Sequence, residues 1–301
     1  MTGRRILIAG SLGQVGFELK GALSPLGDVL AVDRNGLDLG SADSIRACIR
    51  EVRPRIIVNA AGFTNVDEAE SCIDAAMQVN GTAPGVLAEE AKHIGAVLVH
   101  YSTDYVFDGN LDRPYTEEDE PNPVNVYGQS KLAGEKAITA AGGMHLILRT
   151  SWVYSDRRRN FVLSILRLAQ ERDELTVVTD QTGSPNWARE LAQTTARLLR
   201  EEELVAENPG IYHLSAAGAT SRYEFAKAIL LQAEEHDRSS RRWARLIPST
   251  SEHYPTIAKR PLRLETDKSK IKRVFGIEMP HWRTQLEAYM SHTLRGIARA
   301  C

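Results

Sequence analysis

The sequence predicts an α/β fold in which a doubly wound parallel sheet is followed by a second, smaller α/β lobe. Two observations support this prediction. In the first half of the chain, short apolar runs alternate with segments of helical spacing, which is typical of βαβ units. The first apolar run, residues 5–9, leads directly into a glycine-rich turn and then into a helix-like segment at 17–23. Parallel strands joined by helices follow from this order.

The glycine-rich turn reads Gly10-Ser-Leu-Gly13-Gln-Val-Gly16. Gly10 permits a tight turn, Gly13 lets the backbone approach a pyrophosphate, and Gly16 lets the helix pack close to the strand. The N-terminus of the helix offers free N–H groups and a partial positive charge to phosphates. A glycine turn between a strand and a helix therefore predicts a Rossmann dinucleotide site.

The second strand, residues 28–33, ends at Asp33, about twenty residues after the glycines. An acid there can accept a hydrogen bond from an adenosine ribose. The adjacent Arg34 could instead bind a 2′-phosphate, so the pair leaves NAD and NADP both open. The alternative is that Asp33 only opens a turn.

Three further strands end in residues suited to a ligand site. The third ends in Asn59-Ala60-Ala61-Gly62, whose small side chains leave room for a ligand. The fourth, 96–103, ends at Thr103, and the fifth, 145–152, ends at Trp152. Because the carboxyl ends of parallel strands meet at one edge, we expect these residues to converge there. Residues 108–126 predict an exposed loop or lid.

A Tyr-x-x-x-Lys pair, Tyr127 and Lys131, opens the helix predicted over 127–140. Residues four apart share one helix face, and a nearby ammonium is expected to lower the tyrosine pKa. Such a tyrosine can exchange a proton with a substrate oxygen that the Thr103 hydroxyl also holds. By itself the pattern also fits a surface tyrosine beside a solvated lysine.

Composition excludes several classes of function. The chain has 301 residues, 43% hydrophobic and 25% charged, with a net charge of −2. This balance favours neither nucleic acid nor an anionic membrane as a partner. No apolar run is long enough for a membrane span and no signal-peptide pattern is present, so a cytoplasmic location is expected. Cys48, Cys72 and Cys301 match no disulfide framework or zinc spacing.

The second half is less regular, with helices predicted over 161–172 and 188–203 and short strands over 175–179 and 210–214. A capping box, Ser221-Arg-Tyr-Glu224, opens a helix to about 235. The basic run at 236–245 is interpreted as a solvated loop or helix end. We expect residues 1–152 to form a dinucleotide-binding domain completed by segments within 160–215. Residues 153–301 should form mainly a substrate-binding lobe.

Several motifs resemble those of the extended short-chain dehydrogenase/reductase superfamily, over nearly the whole chain. They are Gly13-Gln-Val-Gly16, Val58-Asn-Ala-Ala61, His100-Tyr-Ser-Thr-Asp-Tyr-Val-Phe107, Asn125-Val-Tyr-Gly128, Lys131-Leu-Ala-Gly-Glu-Lys136, Leu148-Arg-Thr-Ser-Trp-Val-Tyr154, Asp180-Gln181 and Arg260-Pro261. The resemblance implies hydride transfer from NADPH or NADH to C4 of dTDP-4-dehydro-β-L-rhamnose, a nucleotide-sugar substrate. The product would be dTDP-β-L-rhamnose.

The same resemblance implies roles for individual residues. Tyr127 would donate the proton, Lys131 would lower its pKa and bind the nicotinamide ribose, and Thr103 would position the carbonyl. The substrate would also contact Asp104, Trp152 and Arg260. The cofactor site would be lined by Gly10, Gly13, Gln14, Val15, Gly16, Asp33, Arg34, Asp38, Leu39, Ala60, Ala61, Gly62, Phe63 and Thr64. Core filling is the alternative for Trp152.

Some bacterial members of this family form dimers around Mg²⁺ held by glutamates. The corresponding positions here are Glu18, Glu190 and Arg283. Because a guanidinium cannot ligate Mg²⁺, we expect no metal requirement. Arg283 could instead pair with Glu18 or Glu190 and help to hold a homodimer. The alternative is a monomer with Arg283 in solvent.

Two other functions stay open on the sequence alone. A 4-ketoreductase of another nucleotide-activated deoxysugar would keep Thr103, Tyr127 and Lys131 and differ only in the second lobe. A non-catalytic NADP-binding module, like the regulatory subunit of methionine adenosyltransferase, would resemble this family without turning over a substrate.

Overall fold

The computed structural model describes residues 4–236 and 243–298. In the first half, strands and helices alternate along the chain. They are β1 (Arg5–Ala9), α1 (Gln14–Leu23), β2 (Asp28–Val32), α2 (Ala42–Val52), β3 (Ile56–Asn59), α3 (Val66–Ala69), α4 (Ile73–Met77), α5 (Ala83–Ile94), β4 (Val97–Thr103), α6 (Val126–Ala141) and β5 (His145–Thr150). A π-helical turn, Gln78–Thr82, joins α4 to α5.

Shorter strands are interspersed with helices in the second half. They are β6 (Val153–Tyr154), α7 (Phe161–Glu171), β7 (Glu174–Val178), β8 (Thr182–Gly183), β9 (Asn186–Trp187), α8 (Ala188–Arg200), α9 (Glu202–Glu207), β10 (Gly210–His213), β11 (Thr220–Ser221), α10 (Arg222–His236), β12 (Arg245–Ser249), α11 (Ser269–Phe275) and α12 (Trp282–Ala298).

The central sheet has six parallel strands in the order β10-β5-β4-β3-β1-β2. Its registers place Ile6 beside Val29 and Ile56, and Thr103 beside Thr150. β1 and β3 neighbour each other at the point where the strand order reverses, and ligands bind at such a switch point. The predicted doubly wound parallel sheet is confirmed.

Apolar cores cover both faces of this sheet, as parallel strands require. One core packs α1 and α8 against the strands, and the other packs α2 and α5 against the opposite face. The strand side chains that form these cores, such as Ile6, Leu7 and Val99, are fully buried. Ile271 and Met279, far along the chain, also join the first core.

Two glycines in the first turn are required by close backbone approach. Gly10 has φ +85°, and a Cβ there would lie 2.8 Å from the Ala61 backbone. A Cβ on Gly16 would lie 2.1 Å from the Gly10 carbonyl oxygen. A larger residue at Gly16 would therefore push α1 away from the turn, and one at Gly10 would collide with the loop after β3.

A separate hydrophobic core organises the rest of the second half. It packs α7, α10 and α12 around Phe225, Trp282 and Tyr289. Beside it run the small sheets β7–β12, β8–β11 and β6–β9. The Ser221 hydroxyl accepts a hydrogen bond from the Glu224 amide at 3.1 Å, as the capping box predicts.

Some elements differ from the sequence-based expectation. α11 and β12 were not predicted, and neither was the π-helical turn between α4 and α5. Cys301 and part of the basic run, residues 237–242, lie outside the described residues. Within the described ranges, no helix combines the length and apolarity needed to cross a bilayer.

Candidate active site

Thr103 ends β4 at the carboxyl edge of the sheet, and the chain turns sharply there into a 3₁₀ turn over Asp104–Val106. The Thr103 hydroxyl accepts a hydrogen bond from the Tyr105 amide at 3.1 Å. It donates to Asp104 Oδ1 at 3.3 Å. Because Thr103 is only 5% exposed, this bonding fixes its hydroxyl at the edge of the crevice.

Tyr127 lies in the first turn of α6, directly opposite this 3₁₀ turn. Asn125 caps α6 by accepting from the Gly128 amide at 2.8 Å, and its amide donates to the Lys259 carbonyl at 2.9 Å. A Cβ on Gly128 would lie 2.2 Å from the Tyr105 carbonyl oxygen, so glycine lets the two turns touch. The Tyr127 ring then packs edge-on against Tyr105, with centroids 5.8 Å apart.

The expectation that Lys131 lowers the Tyr127 pKa is wrong for this structure. Burial raises the pKa of Tyr127 above its usual value, and the negative charge of Asp104 acts in the same direction. The Thr103 hydroxyl only partly offsets this. The physical reason is that the Lys131 amine is bonded elsewhere. Tyr127 is therefore a protonated phenol, ready to donate.

Lys131 is 4% exposed, and its Nζ points into the sheet. It donates to the Tyr101 carbonyl at 2.6 Å and lies 3.1 Å from His100 Nε2. Burial lowers the pKa of Lys131 to about 8, although Glu135 opposes this. A shared helix face thus brought Tyr127 and Lys131 to the same region, but spacing alone does not determine the lysine's partners.

Asn80, in the π-helical turn, ties the loop after β3 to α6. Its side chain accepts from the Phe63 amide at 2.8 Å and donates to the Phe63 carbonyl and the Ser130 hydroxyl at 2.9 and 3.0 Å. Asn80 therefore fixes the loop at Gly62 that is expected to line the cofactor site. Sequence reasoning missed it, because no local pattern marks a residue that acts through contacts 50 positions away.

Asp104 presents an unpartnered acceptor to the crevice. It is 2% exposed, and its Oδ2 is buried without a hydrogen-bond partner. Burial raises the pKa of Asp104 to about 7, while hydrogen bonding to Thr103 and the charge of Arg222 oppose the rise. A buried acceptor without a partner carries a desolvation cost that a ligand hydroxyl can relieve.

Arg222 and Trp152 form the facing wall. The Arg222 guanidinium lies 3.6 Å from the centroid of the Trp152 ring, and its charge acts on Asp104 and Tyr105. Trp152 adopts a left-handed φ of +41°, which is uncommon for an aromatic residue and occurs often at functional sites. Trp152 is only half-buried, so core filling alone does not describe it. Arg222 was not among the predicted site residues.

Arg260 lies in a loop that reaches from the second lobe back to α3. Its Nη2 donates to Asp67 Oδ2 at 2.8 Å, and the Ala258 amide donates to Asp67 Oδ1 at 3.0 Å. Arg260 Nη1 is buried without a partner. The charge of Arg260 also acts on Tyr105 and Arg222, which places it beside the same crevice.

The residues expected around the cofactor lie near the switch point of the sheet, but some have other contacts. Gln14 is bonded through Oε1 to the Ser155 hydroxyl and the Asn160 amide, at 3.0 and 3.1 Å. Leu39 is 5% exposed and packs in the core. Val15 is partly buried against the core beside the turn. Gly62 and Thr64 are exposed, and Ala60, Ala61 and Phe63 are half-buried.

Asp33 follows β2, as expected, and accepts a hydrogen bond from the Asn35 amide at 2.9 Å. The alternative interpretation of Asp33 was that it opens a turn, and Asp33 Oδ1 does accept a hydrogen bond within that turn. Arg34 is exposed and pairs with Asp38 at 3.4 Å. Both side chains thus lie at the end of β2. The pair of Arg34 and Asp38 is exposed, so a ligand phosphate could displace Asp38 from Arg34.

Two of the three positions aligned with a metal site have other partners in the described chain. Glu18 pairs with Arg189 at 2.9 Å, and the guanidinium of Arg283 stacks on Trp282 at 4.3 Å. Burial raises the pKa of Glu190. The suggested pairing of Arg283 with Glu18 or Glu190 is thus not seen within one chain. Among the described residues, no group of three or more His, Cys, Asp or Glu side chains could hold a metal.

Comparison with known proteins identifies the family. The family model for the RmlD substrate binding domain matches residues 4–295. The chain belongs to this family. A dTDP-4-dehydrorhamnose reductase from Burkholderia thailandensis is 44% identical over 284 residues, covering 93% of this chain and 95% of the relative. The reductase of the same name from Escherichia coli K12 is 40% identical over 291 residues, covering 95% and 97%.

A solved structure agrees with both fold and family. The dTDP-4-dehydrorhamnose reductase of Bacillus anthracis, crystallised in complex with NADP, superposes with a TM-score of 0.89 at 33% identity. The match covers 96% of this chain and 99% of that one. The resemblance inferred from the sequence motifs is therefore confirmed at the level of family and fold.

Proposed function

We propose that this protein is an NADPH- or NADH-dependent oxidoreductase that reduces the C4 keto group of dTDP-4-dehydro-β-L-rhamnose to give dTDP-β-L-rhamnose. The observation that carries the proposal is the meeting of Thr103, Asp104 and Tyr127 at the carboxyl edge of the sheet. A proton donor and a hydroxyl that face each other in a crevice suit the reduction of a carbonyl. The two relatives named dTDP-4-dehydrorhamnose reductase, 44% and 40% identical, support the choice of sugar.

The residues at the switch point fit a dinucleotide. Gly10 and Gly16 stand where a Cβ would collide with backbone. Gly13 is the N-cap of α1, and no side chain caps the first turn of the helix. The first-turn N–H groups of α1 are therefore available to a pyrophosphate. Gly10, Gly13, Gly16, Asp33, Arg34 and the loop at 60–64 would hold the cofactor. When bound, the nicotinamide supplies the hydride.

Within this scheme Tyr127 donates its phenolic proton to the C4 oxygen as negative charge develops there. The raised pKa of Tyr127 does not prevent this, because an alkoxide is far more basic than a phenolate. Thr103 orients the carbonyl through its hydroxyl. Asp104 Oδ2 accepts a hydrogen bond from a sugar hydroxyl, while Trp152, Arg222 and Arg260 surround the nucleotide sugar. Arg222 and Arg260 supply positive charge for its diphosphate.

On this proposal residues 1–152, with later segments that join the sheet, bind the cofactor, and residues 153–301 mainly bind the substrate. β10 and α8 fall within 160–215 and pack on the central sheet, which supports that division.

The test is an assay of the purified protein with dTDP-4-dehydro-β-L-rhamnose and each cofactor. We expect nicotinamide oxidation matched by formation of dTDP-β-L-rhamnose, identified by NMR. Because Asp33 repels a 2′-phosphate and Arg34 attracts one, kcat/KM for NADH and NADPH should agree within roughly a hundredfold, about 2.7 kcal/mol. Absence of turnover with both cofactors would favour a non-catalytic binding module. Turnover only with another 4-keto sugar would favour the related ketoreductase.

A further inference from the structure

Lys131 ends a buried chain of three polar side chains, and the other two, Asn59 and His100, have no role in the proposed mechanism. Asn59 ends β3, and His100 lies directly beside it on β4. Asn59 Nδ2 lies 3.0 Å from His100 Nδ1, and His100 Nε2 lies 3.1 Å from Lys131 Nζ. The three residues are 0%, 1% and 4% exposed. The positions of their protons are therefore determined by the hydrogen bonds among the three side chains rather than by water.

The orientation of the Asn59 amide determines which atoms donate in the hydrogen bonds that link Asn59, His100 and Lys131. Its Oδ1 accepts a hydrogen bond from the Ala61 amide at 3.2 Å, so its NH₂ group faces the ring of His100. An NH₂ group only donates, and His100 Nδ1 must therefore accept. In a neutral imidazole the proton then lies on Nε2, which points at Lys131.

A donor at His100 Nε2 discriminates between the two forms of Lys131. An ammonium has three donors and no acceptor, so it would oppose the N–H of His100. A neutral amine can accept from Nε2–H with its lone pair while it donates to the Tyr101 carbonyl at 2.6 Å. Protonating Lys131 therefore sets its ammonium against Nε2–H, because moving the His100 proton to Nδ1 would set that proton against the NH₂ group of Asn59.

The other charged groups around Lys131 do not cancel this effect of His100. Glu135, one turn further along α6, raises the pKa of Lys131, but its carboxylate is held by Arg149 at 2.7 and 3.0 Å. The Ser102 hydroxyl also donates to Glu135, at 2.5 Å. Tyr127 is a neutral phenol. Burial lowers the pKa of His100 well below its usual value and that of Lys131 to about 8.

We propose that His100 is a positioning residue: held by Asn59 with its proton on Nε2, it disfavours the ammonium form of Lys131 in the cofactor-free protein. The catalytic meaning of this proposal rests on the proposed function, since Lys131 is its target. In that enzyme, the change of charge on Lys131 near mildly alkaline pH appears as the alkaline limb of activity. Asn59 and His100 then determine where that limb lies.

The first test needs no substrate. Protein labelled with ¹⁵N in histidine should show, by long-range ¹H–¹⁵N NMR, that His100 is protonated on Nε2 and not on Nδ1, from about pH 6 to about pH 9. Loss of the signal in His100→Gln assigns it, and His93→Gln, at the exposed end of α5, should leave it unchanged. A proton on Nδ1, or an imidazolium, would overturn the proposal.

Asn59→Asp is a near-isosteric substitution that should reverse the direction of the hydrogen bonds between residue 59, His100 and Lys131. A carboxylate still accepts from the Ala61 amide but now also accepts from His100 Nδ1–H, which frees Nε2 to accept from an ammonium. We expect the tautomer to switch and the alkaline limb of kcat/KM to rise by about one pH unit, a tenfold change in acid dissociation constant. An unchanged tautomer would contradict the proposal.

The two experiments separate this inference from the proposed function. The spectrum reports the tautomer in a protein without substrate, so a protein with no reductase activity could still show the expected switch. Conversely, an active reductase with His100 protonated on Nδ1 would keep the function and refute the role of His100. If Asn59→Asp fails to fold, the wild-type spectrum alone decides.

Discussion

The two walls of the candidate site differ in how completely their polar groups are bonded. The sheet wall consists of Thr103, Tyr127, Lys131 and His100. Lys131 and His100 are buried, and each of their side-chain nitrogens has a close partner. On the facing wall, Arg222 stacks on Trp152, and Arg260 Nη1 is buried without a partner. Asp104 Oδ2, between the walls, is also unpartnered.

This difference indicates that one wall serves the proton transfer and the other serves substrate binding. Groups that are fully bonded before ligand arrives keep their geometry, which proton transfer requires. Groups left without partners gain hydrogen bonds only when a ligand supplies them, so they contribute mainly to affinity. We therefore expect substitutions in the sheet wall to lower turnover and substitutions in the facing wall to weaken substrate binding.

Tyr127→Phe should give the largest effect. It removes the proton donor and keeps the ring packed against Tyr105, so kcat should fall by roughly 10²–10⁴-fold. The cofactor dissociation constant, measured by fluorescence titration, should change little. Turnover within about threefold of wild type would show that Tyr127 is not the acid.

Arg222→Met tests the facing wall. It keeps apolar contact with Trp152 but removes the charge beside Asp104 and Tyr105, so KM for the nucleotide sugar should rise about 10- to 100-fold. The change in kcat should be much smaller. Arg222→Lys, which retains charge without the planar stack, should lie between wild type and Arg222→Met. Steady-state kinetics at saturating cofactor measures both constants, and an unchanged KM would remove Arg222 from the site.

Asp104→Asn tests the unpartnered acceptor through stability. The pKa of Asp104 is raised to about 7, above that of an unfolded aspartate. Its contribution to stability is therefore fully present below about pH 4 and lost as the pH rises through about 7. Asparagine cannot ionise, so the ligand-free variant should be about 1–3 kcal/mol more stable than wild type at about pH 8 and equal to it at about pH 4.

Denaturant unfolding at both pH values measures this difference. Asp112→Asn, which removes an exposed carboxylate, is the matched control and should change stability little at either pH. A gain of equal size at both pH values would mean that ionisation of Asp104 is not its cause.

The smallest effect is expected from metal removal. Because Arg283 replaces a metal ligand and Glu18 already pairs with Arg189, EDTA should alter neither turnover nor sedimentation. A homodimer that uses this surface should instead loosen as salt is raised. Loss of activity or assembly on chelation, restored by Mg²⁺, would show that the site binds metal despite Arg283.

Much of the sheet wall could be predicted from the sequence, because it depends on local patterns. Apolar runs define the strands, and the fold brings their carboxyl ends to one edge, so Thr103 and the glycine turn were expected together. The partners of Lys131 could not be predicted in the same way. Helical spacing gives the face of a residue but not the rotamer, and the rotamer here directs Nζ to Tyr101 rather than to Tyr127.

On the facing wall, the substrate contacts of Trp152 and Arg260 were expected only from the family resemblance, and Arg222 was not predicted. Arg222 follows a capping serine, and that pattern predicts the start of α10 but nothing about contact with Trp152, 70 residues earlier. Asn80 lies in a π-helical turn that no periodicity indicates. Such contacts depend on how distant elements pack, and a single sequence gives little information about this.

The most direct test of the division between the two walls is the rate of hydride transfer in a single turnover, with enzyme in excess over the sugar and at saturating concentrations. The account predicts that Arg222→Met transfers hydride within about tenfold of the wild-type rate once saturated, whereas Tyr127→Phe is slower by about 10²-fold or more at any concentration. If saturated Arg222→Met is slowed as much as Tyr127→Phe, the facing wall takes part in the chemistry and the division is wrong.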